Sequence, residues 1–198
     1  MSLVALGTGR GIGKLADGYR FASCMGENAR GREDRVGDKS MAMKGFISYA
    51  HDDHQLFDGF ATHLKSVRRA FDLELWFDHE IYAGARWDSS IASAIGVAQV
   101  FVLLISPNFI GSDYVFEKEI PAIQAQRLAV GALVLPVVLK RCTWQLIAAA
   151  LQAVPTENGR VRPVSDWRPW EHGYDRATGQ IITAIERHFG LTRKAISW

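Results

Sequence analysis

The run QVFVLLIS, Gln99 to Ser106, constrains the fold more than any other stretch, because its six central residues are all apolar. A strand that is apolar at every position needs cover on both faces, which is the situation inside a parallel sheet. The segments around it alternate in kind. GFISY (Gly45 to Tyr49) reads as a strand, and DDHQLFDGFATHLKSVRRAF after it reads as a helix capped by Asp52 or Asp53, with Leu56, Phe60, Leu64 and Val67 on one face. LELWF (Leu73 to Phe77) alternates like a strand, and WDSSIASAIGVA (Trp87 to Ala98) has helical spacing through Ile91 and Ile95. After the central run come a helix around Ser112 to Arg127, a strand at Ala132 to Leu139, a short strand near RVRPV (Arg160 to Val164) and a last helix in TGQIITAIERHFG.

Such alternation predicts an α/β fold, a mostly parallel sheet of about five strands joined by right-handed crossovers and flanked by helices. Ligands of these sheets sit beyond the carboxyl ends of the strands, where the strand order reverses. In this chain those ends fall at residues 49–53, 78–87 and 107–119.

Charge and cysteine usage exclude several classes of function. Residues 1–43 hold seven Lys/Arg against five Asp/Glu, and the remaining residues hold sixteen of each, so the body has no basic stripe for a phosphate backbone and nucleic acid is not the expected ligand. No apolar run reaches the length of a membrane span, and SLVAL near the start is too short for a signal-peptide core, so a cytoplasmic protein without membrane contact is expected. Cys24 and Cys142 form no CxxC pair and are expected to be free thiols.

Two local motifs invite a functional reading and fail it. GTGRGIGK (Gly7 to Lys14) has glycines at 7, 9, 11 and 13, which breaks every frame of the dinucleotide pattern; it is also followed by Leu15 where a P-loop needs Ser or Thr. The glycines therefore belong to a leader, residues 1–43, expected to be flexible, ahead of a domain at 44–190 and a tail at 191–198. In HDDH (His51 to His54) two histidines stand at i and i+3 with no third ligand nearby, so no metal is expected. No serine nucleophile elbow or His-Glu-x-x-His pattern occurs.

Four stretches in order, KGFISYAHDD, ELWFDHEIYAGARWDSSI, VFVLLISPNFIGSDYVFEKEIPAI and VLPVVLKRCTW, resemble the successive boxes of a bacterial-type Toll/interleukin-receptor (TIR) domain over residues 44–190. The resemblance implies a flavodoxin-like sheet of order 2-1-3-4-5. Many bacterial members cleave NAD between nicotinamide and ribose with one helical glutamate, and the matching position is Glu119. NAD would then be substrate rather than cofactor, and no cofactor is expected. Glu117 is a decoy, about 200° away around a helix. The resemblance further implies a gating and self-association loop at DHEIYAGARWD, in which Gly84 gives flexibility, Asp78 binds ribose or shapes the turn, and Trp87 offers a face to a ring. Ser48 and Tyr49 would border the same crevice.

This chain departs from the pattern at two places: Ala50 stands where the family often has a basic residue, and Val115 where several active members have Trp. Phe116, one turn before Glu119, is the candidate for the missing aromatic wall. The implied partners are further copies of the chain through TIR–TIR contacts, or another TIR or sensor protein. The alternative function is a TIR interaction scaffold in signal transduction that performs no chemistry. A nucleoside deoxyribosyltransferase would use a similar sheet, but the boxes match it less closely.

Overall fold

A computed structural model describes residues 42–77 and 87–194, the side chains of residues 87–89 excepted. The apolar run becomes β3 (Val100–Ile105), buried at every position. It lies between β1 (Met43–Tyr49) and β4 (Leu133–Val138), with β2 (Leu73–Phe77) outside β1. All three pairings are parallel and the order is 2-1-3-4. The chain steps from β1 out to β2 and returns across β1 to β3, so the order reverses between β1 and β3. Their carboxyl ends are Tyr49 and Ile105.

Period-2 alternation divides the sheet residues between two cores. Ile47, Tyr49, Val100, Val102, Leu104, Leu135 and Val137 face α1 (His54–Phe71) and α6 (Trp170–Phe189), where they meet Phe60, Leu64, Ile181 and Ile185. Phe46, Phe101, Leu103 and Ile105 face the other way, against Ile91 and Ile95 of α2 (Trp87–Val97) and Ile123 of α4 (Ile120–Val130). The three helices α1, α4 and α6 stop at a left-handed residue: Gly131 (φ 69°) ends α4, Gly190 (φ 65°) ends α6, and Asp72 (φ 49°), a residue type that tolerates this region, ends α1.

Two sequence expectations change. Among the described residues the sheet has four strands, and the place of a fifth is held by one parallel bridge, Val137 to Val154. The segment Arg160 to Val164, expected as that strand, instead begins with β6 (Arg160–Val161), which pairs antiparallel with β5 (Thr156–Glu157). The cause is local: Asn158 and Gly159 both have positive φ, the requirement of a tight hairpin, and Pro155 and Pro163 remove ladder donors on either side.

The second change is in the expected helix over Ser112 to Arg127. It divides into a π-helical turn (Val115–Glu119) and α4, with a separate short α3 (Pro107–Ile110) ahead of it and a short α5 (Gln145–Ala148) after β4. Pro121 has no N–H to give the Glu117 carbonyl, so the regular ladder fails there, and the Ile120 N–H reaches back five residues to the Val115 carbonyl. The start of the expected tail is tied to the body: Lys194 N–H donates to the Ala70 carbonyl (2.9 Å) and Arg193 pairs with Glu186 (2.7 Å).

Candidate functional site

Two buried acidic groups stand at the carboxyl ends of the strands, and each is held by a serine from another element. Glu119, at the end of the π turn, is 8% exposed. The Ser48 hydroxyl, on β1, donates to its Oε2. Ser48 reaches Glu119 because it shares the Phe46 face of the strand, toward α2 and α4. Val115 is buried beside Glu119, one π turn earlier, while Glu117 is exposed.

Glu119 also lines a hollow of about 270 Å³ between α2 and the π turn, together with Ile91, Ala92, Ile95, Tyr114, Lys118 and Ala122. Apolar walls close to a fixed carboxylate strengthen its interaction with any positive charge that enters. The arrangement suits stabilisation of a cationic centre on a small ligand.

The second acidic group is Asp53, whose side chain is fully buried. Sequence reasoning offered Asp52 or Asp53 as the cap of α1, but the Asp53 carboxylate makes no capping bond. A 3₁₀ turn (His51–Asp53) intervenes before α1 and points the carboxylate across the strand ends instead. There it accepts from the Ser106 hydroxyl, from Asn108 Nδ2 at 3.1 Å and from Lys140 Nζ at 2.8 Å. Ser106 in turn caps α3, its Oγ accepting from the Phe109 N–H at 3.0 Å. One carboxylate thus joins the ends of β1, β3 and β4.

The remaining sequence candidates fall elsewhere. Tyr49 is not beside Glu119: one residue on from Ser48, it faces the opposite core and stacks on Phe57 with ring centroids 4.4 Å apart. Phe116 does not share the Glu119 face either. A π turn sets residues four and five apart over one another, which leaves Phe116 turned outward and 39% exposed. Asp78 and the loop at 78–86, with Gly84, lie outside the described residues, and so does the side chain of Trp87, the first residue of α2. His51 and His54 are exposed with ring centroids 6.3 Å apart, and among the described residues no group of three potential ligands could hold a metal ion. No described helix is long and apolar enough to cross a membrane. Cys142 is a free thiol that burial pushes up from its ordinary pKa.

Sequence reasoning missed Tyr114, Lys118, Ile91 and Ile95 as lining residues of the hollow, and missed the Asp53 cluster. The signal for the first was Pro121, which announces a broken helical ladder; the second had none, since the partners of Asp53 lie 53 to 87 residues from it.

Comparison with known proteins gives three findings. A family model described as TIR domain matches residues 46–177. A curated relative, the uncharacterized protein y4lF of Sinorhizobium fredii, is 30% identical over 152 residues; the match covers 76% of this chain and 45% of the relative, so the chain spans less than half of that protein's length. The crystal structure of the TIR domain of the Toll-related receptor TRR-2 from Hydra magnipapillata is similar at 13% identity and a TM-score of 0.43, covering 70% of this chain and 97% of that one.

Proposed function

Since this chain belongs to the TIR domain family, we propose that it is an NAD glycohydrolase, cleaving the bond between nicotinamide and ribose with Glu119 as the one catalytic carboxylate. The observation that carries the reading is the placement of Glu119: buried, held by the Ser48 hydroxyl at the end of β1, and facing an apolar hollow.

One carboxylate is chemically sufficient. The nicotinamide nitrogen is already cationic while attached, so it takes the electron pair of the breaking C–N bond and departs neutral, without a general acid. The ribose is left with oxocarbenium character, which the glutamate stabilises electrostatically. Water then adds to the ribose carbon and releases a proton to solvent, giving ADP-ribose; attack by the adenine of the same molecule gives a cyclic ADP-ribose product. NAD is substrate, and the scheme needs no cofactor. The activity would serve bacterial defence or an effector role in the cytoplasm, in assemblies of this chain with itself or with another TIR or sensor protein.

The second reading, a TIR scaffold without chemistry, is favoured by Ala50 and by Val115, which packs at 3% exposure where several active relatives offer a ring. Chromatography of NAD incubated with concentrated protein decides between the two. Glu119→Gln keeps the shape of the side chain and removes its charge, so nicotinamide release falls to background, while Glu117→Gln, at an exposed position, keeps nearly full activity. Equal loss in both variants with unchanged circular dichroism would sink the assignment of Glu119.

A further inference from the structure

Among the described residues β4 is an edge strand along its first half, and the hydrogen bonds around it show which main-chain groups lie open there. Leu133 N–H donates to the Gln99 carbonyl (2.9 Å) and Leu139 N–H to the Ile105 carbonyl (2.8 Å), so odd-numbered residues turn their main-chain groups toward β3. Even-numbered residues turn theirs outward. Val138 N–H donates to the Val154 carbonyl and Val154 N–H to the Pro136 carbonyl, both at 2.8 Å. By the same parity Val134 presents its N–H and carbonyl at the outer edge, and among the described residues no backbone group takes them up. Val154 holds the fifth-strand place beside the second half of β4 alone, because the chain leading to it turns at residues 149–151.

A groove of about 630 Å³ lies beside the open half, bordered by Val134, Leu135 and Leu151. Its ionisable lining residues, among those described, are Arg127, Arg187 and His188, with no carboxylate. Arg127 stands in the last turn of α4 and Arg187 in the last turn of α6, helices that cover opposite faces of the sheet. Both arginines are exposed, and neither has an ion pair among the described residues. The walls are braced against each other: His188 Nε2 meets the Gly131 carbonyl after α4 at 2.8 Å, and Thr156 N–H donates to Gln180 Oε1 of α6 at 2.8 Å.

We propose that this groove docks an acidic peptide in extended conformation, which adds to the sheet as a fifth strand along β4 and sets carboxylates on Arg127 and Arg187. Strand addition draws affinity from main-chain bonds and specificity from the side chains, and Val134 offers one donor and one acceptor to the incoming backbone. Successive side chains of a strand point to opposite faces. With a guanidinium on each face, two adjacent acidic residues satisfy both, and a guanidinium pairs with a carboxylate through two parallel bonds. The absence of lining carboxylates selects an acidic occupant over a basic one. The groove flanks the first half of β4, whereas Glu119 stands at the other end of the strands, so the proposal is independent of the NAD reading.

The test is an NMR titration of the isotope-labelled 198-residue chain with a blocked hexapeptide, Thr-Val-Glu-Glu-Val-Thr. Three relatives of the peptide serve as controls: one with Gln-Gln at the centre, one with Lys-Lys, and one with both central amides N-methylated. The acidic peptide is expected to shift the Leu133, Val134 and Leu135 amides and to slow exchange of the Val134 amide proton. N-methylation should weaken binding about tenfold, by removing a ladder donor, and the Gln-Gln peptide should bind about tenfold more weakly. Arg127→Gln and Arg187→Gln should each cost about threefold, and the Lys-Lys peptide should leave the groove untouched. Equal binding of the acidic and Gln-Gln peptides, or of the methylated and unmethylated ones, overturns the proposal, as does the absence of any shift in the groove. Slow exchange of the Val134 amide in dilute protein without peptide would show the edge covered by the chain itself, and protection that grows with protein concentration would make it a contact between copies. Either result also overturns the proposal.

Discussion

The Ser48 hydroxyl donates to Oε2 of Glu119, joining the end of β1 to the π turn across 71 residues of sequence. Both residues are buried, Ser48 at 2% and Glu119 at 8% exposure. The bond orients the carboxylate, so under the proposed function Ser48 is a positioning residue. Ser48→Ala is therefore expected to lower kcat about tenfold, equivalent to about 1.4 kcal/mol of transition-state stabilisation, with KM little changed. Ser48→Thr keeps a hydroxyl and should recover part of the loss. A rise in KM at constant kcat would mean that Ser48 binds substrate instead.

The Asp53 cluster makes a prediction about stability. Lys140 is 41% exposed at its side chain and Asp53 is wholly buried, so the two ends of the pair respond differently to truncation. Lys140→Met strands an anion among neutral donors and should cost about 3 kcal/mol, the scale for breaking a buried pair on one side. Asp53→Asn releases Lys140 toward water and should cost less, about 1 to 2 kcal/mol. The double variant should then be more stable than the two single losses added together. Urea unfolding of the four proteins measures this cycle, and strict additivity would show that the ion pair contributes nothing beyond its hydrogen bonds.

How far these features could be read from the sequence depends on the range of the interaction. The strands of the sheet were legible because each carries its own apolar pattern, and β3 marks itself as central by having no polar position, whereas their order followed from the resemblance. The separation of Ser48 from Tyr49 was also available, since residues one apart on a strand face opposite sides. Their joint assignment to one crevice follows from the resemblance, which carries positions but not directions. The hairpin at Asn158 and Gly159 had a local turn signal that a strand pattern at Arg160 to Val164 obscured. By contrast, the partners of Asp53 come from the ends of two other strands, and only the assembled sheet brings them together. The π turn lies between these cases: Pro121 signals the break, but the exchange of Phe116 for Tyr114 depends on which way the chain absorbs it.

Tyr174 gives the domain a definite response to alkali. Its hydroxyl donates to the Leu56 carbonyl (3.2 Å), and burial, with the nearby Glu171 charge adding, pushes its pKa up from 10 to about 12. The unfolded chain loses this proton near pH 10 while the folded protein keeps it until about pH 12. The contribution to stability is therefore complete below pH 10 and is lost between pH 10 and 12, at about 1.4 kcal/mol per pH unit. Tyr174→Phe sacrifices the hydrogen bond, about 1 kcal/mol at neutral pH, and is spared the alkaline loss. The two stability curves are expected to cross at about pH 11. Parallel curves from pH 8 to 12 would show that the phenol is not held neutral by the fold.

The final prediction concerns assembly and follows from the size of the hollow beside Glu119. At about 270 Å³ it has room for the nicotinamide end of a dinucleotide and none for the whole, whereas sites that bind ligands of that size bury most of the ligand surface. Under the proposed function the adenosine half needs a second wall beyond the described hollow, and a neighbouring copy of the chain is the partner that this reading supplies. Ordering that half only at the junction between subunits makes the competent state a property of the assembly, so that mass action sets the fraction of complete sites. Specific activity should therefore rise with protein concentration over a hundredfold dilution series and level off once light scattering reports the assembled form. A crowding agent added to the dilute end should recover activity without any change in NAD concentration. Constant specific activity across the series, with light scattering reporting monomer throughout, would mean that one chain completes its own site, and the second wall would then have to come from the same subunit.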